Sequence, residues 1–246
     1  MVKSNLALIP PKIFFIGVFL FIFQTLSAMK PGPALIVECP SCGAEKSLMT
    51  LISGNSFGSL LWSDGYQFAP MAPTLSPVQK CMDCNSYFML ISAPYRYSEQ
   101  LSDYSLETGL LSYNEIKEAF IELLKTDLSP DEELQLRLEF LYRFNDAFRD
   151  SENISLPLEL TMDKERENGD YTLFQINLKK LISIIEEQSP PSLLLAELYR
   201  EMGDFDQAIS VLRDFVAIGK MENIMKSLLL HNAEAGNKNL ILIDSV

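Results

Sequence analysis

The four cysteines of this chain fall in two pairs, Cys39-Pro40-Ser41-Cys42-Gly43 and Cys81-Met82-Asp83-Cys84-Asn85, and there are no others. A two-residue spacer lets both thiolates of a pair face one ion. Gly43 and Asn85 follow the pairs as residues that tolerate the left-handed backbone turn of a metal knuckle. The expected ion is tetrahedral zinc, held by Cys39, Cys42, Cys81 and Cys84. Four sulfur ligands leave no coordination position open for water, so such an ion stabilises a fold and does not activate a substrate.

Two rival readings of the pairs exist. A thioredoxin-like redox pair requires a strand before the motif and a helix directly after it, whereas Gly43 to Ser47 leads into the strand-like run Leu48 to Ile52. A pair of disulfides depends on the compartment, because zinc-binding thiols suit the cytosol better than an oxidising space.

The N-terminus bears on that question. Ile13 to Phe23 is apolar throughout apart from Gly17, is preceded by Lys3 and Lys12, and is followed by Gln24 to Ala28. This is the pattern of a secretory signal, and it is short for a membrane-spanning helix of about 20 residues. Met29-Lys30-Pro31-Gly32-Pro33 also reads as an ordinary N-terminus just ahead of a first strand. Translation from Met29 implies a cytoplasmic protein, and the upstream segment 1–28 is then a misassigned extension. Otherwise residues 13–28 imply export or membrane tethering.

Formal charge is −13 over 246 residues, and residues 1–30 contain Lys3, Lys12 and Lys30 without an acid, so the remainder is more acidic still. A nucleic-acid partner requires clustered Lys and Arg, and only Lys46 and Lys80 lie near the cysteines. The charge excludes that class and favours a basic protein or peptide partner.

Composition changes near residue 100, with Tyr95 to Gly109 expected as a linker between a β region (34–95) and a helical region (110–235). Ala34 to Glu38, Leu48 to Ile52, Ser59 to Trp62, Tyr66 to Phe68 and Tyr87 to Ser92 are expected strands of a small antiparallel sheet. Asp64-Gly65 supplies a hairpin turn. Trp62 is expected to pack beside the metal, with Asn55, Gly58 and Gly65 serving turn geometry. No catalytic constellation accompanies Asn55, Trp62 and Asp64. The single histidine, His231, reads as a helix-end residue.

Asn114 is an expected cap for a helix over Glu115 to Lys125, and Ser129-Pro130 opens a second helix running to about Arg149. Spacing assigns Leu134, Leu138, Leu141, Phe144 and Phe148 to its buried face, and Glu132, Glu133, Arg137 and Arg143 to solvent. Asp150 to Asp170 reads as a loop. A third helix is expected over Tyr171 to Glu187, with Leu173, Ile176, Leu181, Ile184 and Ile185 as its stripe and Pro190-Pro191 as its stop.

From Ser192 to Phe215 the chain resembles one tetratricopeptide repeat. Leu195, Ala196, Tyr199, Gly203, Phe205, Ala208 and Leu212 fall at that repeat's offsets, and Lys220 departs from it where a proline is usual. With no second copy, this is a repeat-like hairpin within a small bundle. The whole resembles bacterial proteins that join a rubredoxin-like zinc ribbon to a tetratricopeptide-like helical domain. The resemblance implies an α+β protein with structural zinc that holds or recognises another protein and is not an enzyme. The alternative is an exported or membrane-tethered protein whose cysteine pairs form disulfides or act in redox chemistry.

Overall fold

Each cysteine pair sits in the turn of a β-hairpin, and these two turns organise the first third of the structure. The computed structural model describes residues 30–101, 109–149, 168–188 and 191–243. The expectations for residues 1–28 and Met29, for most of the loop at 150–167 and for Pro190 lie outside them. The chain is mixed α+β, with short antiparallel strands first and six α-helices after them among the described residues.

The strands are β1 (Lys30–Pro31), β2 (Pro33–Glu38), β3 (Glu45–Leu48), β4 (Leu51–Ser53), β5 (Leu60–Leu61), β6 (Gln67–Phe68), β7 (Val78–Lys80), β8 (Tyr87–Met89) and β9 (Tyr95–Leu101). They form four small ladders, β1-β4, β3-β2-β9, β5-β6 and β7-β8, where the sequence suggested one sheet. The run Leu48 to Ile52 is divided because Thr50 turns back on the strand entry. Its hydroxyl donates to the Pro33 carbonyl at 2.6 Å, and its own carbonyl accepts the Gly32 N–H at 2.8 Å.

Residues 95–101, expected to begin a linker, instead complete the main sheet as β9. Tyr95, Arg96 and Tyr97 pair with Val37, Ile36 and Leu35. Tyrosines in alternation favour a pleated strand, and an open edge on β2 was there to be paired. Arg96 then reaches across β2 to grip both carboxylate oxygens of Glu45, at 2.7 and 2.9 Å.

Helix α1 (Tyr113–Leu123) is capped by Ser112 in a capping box with Glu115, two residues before the expected Asn114 cap. Helix α2 (Pro130–Asn145) starts as expected on Ser129 and Pro130, with a second capping box to Glu132. It ends at Asn145 and passes into a 3-10 turn, Asp146–Phe148. Helix α3 (Asn168–Gln188) begins three residues before the expected Tyr171. Its buried face includes Phe174 and Leu178, whereas Ile176, expected inside, is exposed.

Helices α4 (Leu193–Met202) and α5 (Phe205–Asp214) form a tight hairpin, and α6 (Lys220–Glu234) packs against both. Gly203 takes φ 87° at the corner, a conformation that a Cβ makes costly, and Asp204 caps α5. Leu195, Ala196, Tyr199, Ala208 and Leu212 are all buried, as the repeat-like spacing requires.

The helical core runs through Ile116, Phe120, Leu136, Phe140, Phe144, Leu178 and Leu198, with Phe144 stacked on Phe174 at 3.9 Å and Phe120 on Phe140 at 4.4 Å. Val78, Tyr87 and Met89 from the second cysteine hairpin belong to the same cluster, so the β region packs directly on the helices. Lys80 adds an ion pair to Glu115 at 2.9 Å, and the Tyr87 hydroxyl donates to Glu118 at 2.8 Å.

A second junction is polar. Asp64, in the β5–β6 turn, is fully buried, and its carboxylate accepts from Arg149 Nη1 at 3.1 Å and Nη2 at 2.5 Å. Asn145 donates to it at 3.1 Å and to Glu201 on α4 at 3.2 Å. Arg149 Nε donates to Asp146, which also holds Arg143 at 2.8 Å. The Arg149 guanidinium lies 4.8 Å from the Trp62 ring and 4.4 Å from that of Tyr66. Nearby, Arg200 grips Glu197, and Ser63 accepts the Ile241 N–H at 3.0 Å.

Three expectations fail here, the first being Phe148, which spacing assigned to the buried face and which is 44% exposed in the 3-10 turn. Arg137 and Arg143, assigned to solvent by helical spacing, are buried by the Asn177 side chain and by Tyr66 with Asp146 respectively. Trp62 is buried away from the cysteines, among Leu60, Tyr66, Phe68, Leu240 and Leu242, and bridges to Leu242 in the C-terminal tail. No helix among the described residues is long and apolar enough to cross a membrane.

Removing one member of a buried pair strands the other charge, at a cost of about 3 kcal/mol or more. Asp64→Ala should therefore lower the unfolding free energy in urea by about that amount, and Asp64→Leu combined with Arg149→Met should restore much of it. A fully additive double variant would show that the two residues do not act as a pair.

Glu201 yields a pH prediction. Burial first, then the charges of Glu197 and Asp64, hold its carboxyl well above the ordinary value near 4.5. The folded chain thus retains a proton that the unfolded chain releases, and stability present below that value is lost as pH rises toward the folded one. Glu201→Gln should be at least as stable as the wild type at pH 8 and should flatten the dependence of the urea midpoint on pH above about 5. An unchanged slope would remove Glu201 from this role.

Candidate metal centre

The two knuckles repeat one backbone design. In the first, the Cys39 N–H donates to the Ala44 carbonyl at 2.8 Å and the Gly43 N–H returns to the Cys39 carbonyl at 2.9 Å. In the second, the Cys81 N–H donates to the Ser86 carbonyl at 2.9 Å and the Asn85 N–H to the Cys81 carbonyl at 3.0 Å. Gly43 and Asn85 both take the left-handed conformation, at φ 75° and 58°, and Asn85 is the non-glycine residue with positive φ among the described residues. Each turn ties off a hairpin, β2–β3 or β7–β8, and brings its cysteines toward the other.

The four Sγ atoms lie within 4.8 Å of one another. The pairs closest to being edges of a tetrahedron cross between knuckles, Cys39 to Cys84 at 3.7 Å and Cys42 to Cys81 at 3.6 Å. A regular tetrahedron with zinc–sulfur bonds of about 2.3 Å has edges of about 3.8 Å. A disulfide needs sulfurs at about 2.05 Å, and all four thiols are free. Cys39 and Cys81 are buried against Leu35, Val37, Leu48, Phe88 and Ala93, while Cys42 and Cys84 face solvent.

The sulfurs do not share charge evenly. Burial opposes ionisation of Cys39, but hydrogen bonds from the Ser86 hydroxyl, the Ser41 and Cys42 backbone and Cys81 outweigh it and bring the thiol down to about 6. The Ser86 hydroxyl, 3.0 Å from Cys84, also lowers that thiol. The Ala44 backbone favours ionised Cys42, yet Cys84, burial and the other two sulfurs push it up to about 12. Four thiolates at this spacing repel one another, and a divalent cation at their centre removes the conflict.

The two lysines near the pairs are engaged elsewhere. Lys46 donates to Gln79 at 3.3 Å, and Lys80 binds Glu115. Ser86, which touches both Cys39 and Cys84, is the site residue that spacing did not reveal. Its only signal is its place directly after the left-handed Asn85, where the other knuckle has Ala44.

Residues weighed for other chemistry are placed apart from the sulfurs. The Asn55 side chain accepts the Phe57 N–H at 2.8 Å in a local turn, Asp64 is committed to Arg149, and His231 lies exposed near the end of α6. No family model, curated protein or solved structure matches this chain.

The second knuckle offers a sharp test of its backbone. Asn85→Gly should leave the urea midpoint within experimental error of the wild type, whereas Asn85→Ile should cost roughly 1–2 kcal/mol because a branched Cβ clashes in the left-handed turn. Equal stability of the two variants would mean that this turn does not constrain the fold.

Proposed function

We propose that Cys39, Cys42, Cys81 and Cys84 hold one structural zinc ion, and that the protein is a non-enzymatic interaction or scaffold module. The observation that carries the metal reading is the convergence of four free thiols from two like-built turns, with cross-knuckle spacings of 3.6 and 3.7 Å. That geometry supports tetrahedral coordination by sulfur alone, and such a set lends stability and not Lewis acidity.

The interaction reading rests on the remainder. A zinc-ribbon unit over 34–95 would present a tetratricopeptide-like helical unit over 110–235, whose α4–α5 hairpin and α6 offer grooves for a peptide or partner helix. Val216 and Ile218, in the connection between α5 and α6, are 79% and 93% exposed, and apolar side chains so placed are suited to contact another chain. The net charge of −13 favours a basic partner.

Native mass spectrometry of the purified full-length product tests the metal. The expected result is one zinc per chain, lost in Cys42→Ser together with amide-exchange protection of β2, β3, β7 and β8, because structural zinc contributes roughly 10 kcal/mol or more of folding free energy. A metal-free chain that begins near Ala28 or Met29 and is lighter by four protons would mean export with two disulfides, and the zinc reading would fall. For the interaction role, Val216→Ser with Ile218→Ser should sharply reduce cross-linking to a basic protein without changing the circular dichroism spectrum. Unaltered cross-linking would exclude this surface.

A further inference from the structure

The two knuckles place their cysteines unequally. In each, the first cysteine, Cys39 or Cys81, is buried, and the second, Cys42 or Cys84, faces solvent. Buried structural cysteines are chemically inert, whereas accessible ones meet whatever reactive solutes the water carries. A centre that only staples two hairpins has no need of sulfur at the surface, and here half of its sulfurs are there.

Each exposed sulfur also has a buried neighbour on the opposite knuckle. Cys84 Sγ stands 3.7 Å from Cys39 Sγ, and Cys42 Sγ stands 3.6 Å from Cys81 Sγ. A disulfide holds its sulfurs about 2.05 Å apart, so either pair closes by a shift of about 1.6 Å. An accessible thiolate with a resolving cysteine beside it is the arrangement that oxidant-sensing sites use. This centre contains that arrangement twice, once in each direction across the gap between the hairpins.

We propose that the metal centre is a reversible switch for hydroperoxides, in which each exposed sulfur is oxidised first and the buried sulfur of the opposite knuckle resolves it. The switch rests on the zinc reading above and supplies a regulation of that same site. The Cys84 sulfur attacks the terminal oxygen of a hydroperoxide. An S–O bond forms, the O–O bond breaks, and water or an alcohol leaves on taking a proton, so that Cys84 becomes a sulfenic acid. The Cys39 sulfur then attacks that of Cys84, forming the S–S bond and breaking the S–O bond, and hydroxide leaves as water on taking a second proton. Cys42 and Cys81 repeat the sequence. Each pair of sulfurs loses two electrons to one hydroperoxide, and the neutral disulfides no longer serve as thiolate ligands. The bridges join the β2–β3 turn to the β7–β8 turn, so the hairpins stay linked when the ion departs.

Hydrogen peroxide added to the intact, zinc-loaded chain in the absence of reductant tests this. A zinc-chelating dye should report release of the ion in step with the loss of hydrogens from the chain by mass spectrometry, and dithiothreitol with fresh zinc should reverse both. Tryptic cleavage after Lys46 and Lys80 places the two cysteine pairs in different peptides. Cys39–Cys84 and Cys42–Cys81 bridges should join those peptides until they are reduced. With peroxide below one equivalent, dimedone should label Cys42 or Cys84 and neither Cys39 nor Cys81. Zinc and free thiols retained under a molar excess of peroxide, bridges of any other pairing, or dimedone on a buried cysteine would each overturn the proposal. A chain purified without zinc would instead remove the metal reading, and the switch with it.

Discussion

Strands of two to seven residues cannot hold themselves in water, and the β region of this protein is built from such strands in four separate ladders. Its stability has to come from cross-links between hairpins. Two knuckles of matching hydrogen-bond pattern bring four sulfurs within 4.8 Å of one another, close enough to share a metal ion. Leu35, Val37, Leu48 and Phe88 pack around the buried sulfurs, so the apolar cluster and the candidate metal site stabilise the same two turns.

The other cross-link is ionic. Asp64, Glu139, Asp146, Glu197 and Glu201 are buried together with Arg143, Arg149 and Arg200 where the β5–β6 hairpin meets α2, α4 and the C-terminal tail. Acids outnumber bases there. Desolvation accordingly raises Glu139, Asp146, Glu197 and Glu201 above their ordinary range. Charged groups are a costly way to fill a core, and their geometry is demanding: the Asp64 carboxylate fits one guanidinium fork, one amide and one backbone N–H. Such a junction specifies one docking of the hairpin on the helices more narrowly than apolar contacts would.

The knuckles and the helix starts were legible because their causes are local. A two-residue spacer, a residue suited to positive φ, and Ser-x-x-Glu ahead of an apolar run act within one or two turns of backbone. Even the misplaced cap shows this, since Ser112 and Glu115 form the same capping box that correctly marked Ser129 and Glu132. Tyr95–Leu101 was harder to read because its partner strand lies some sixty residues earlier, and composition alone gave it the look of a linker. Arg137 and Arg143 went to the wrong side because helical periodicity assumes that charge faces water.

The sequence by itself determined the four cysteines of the candidate metal site, the left-handed turns at Gly43 and Asn85, the α4–α5 hairpin around Gly203, and the acidic character of the chain. These follow from short-range sterics, spacing and net charge. Only the tertiary structure decided that Ser86 serves two sulfurs, that Trp62 packs on Arg149 and the C-terminal tail, and that Asp64 and Arg149 share one buried site across 85 positions of sequence. Whether a charged side chain is solvated or paired depends on which distant groups the fold brings beside it, and no local pattern in the chain records that.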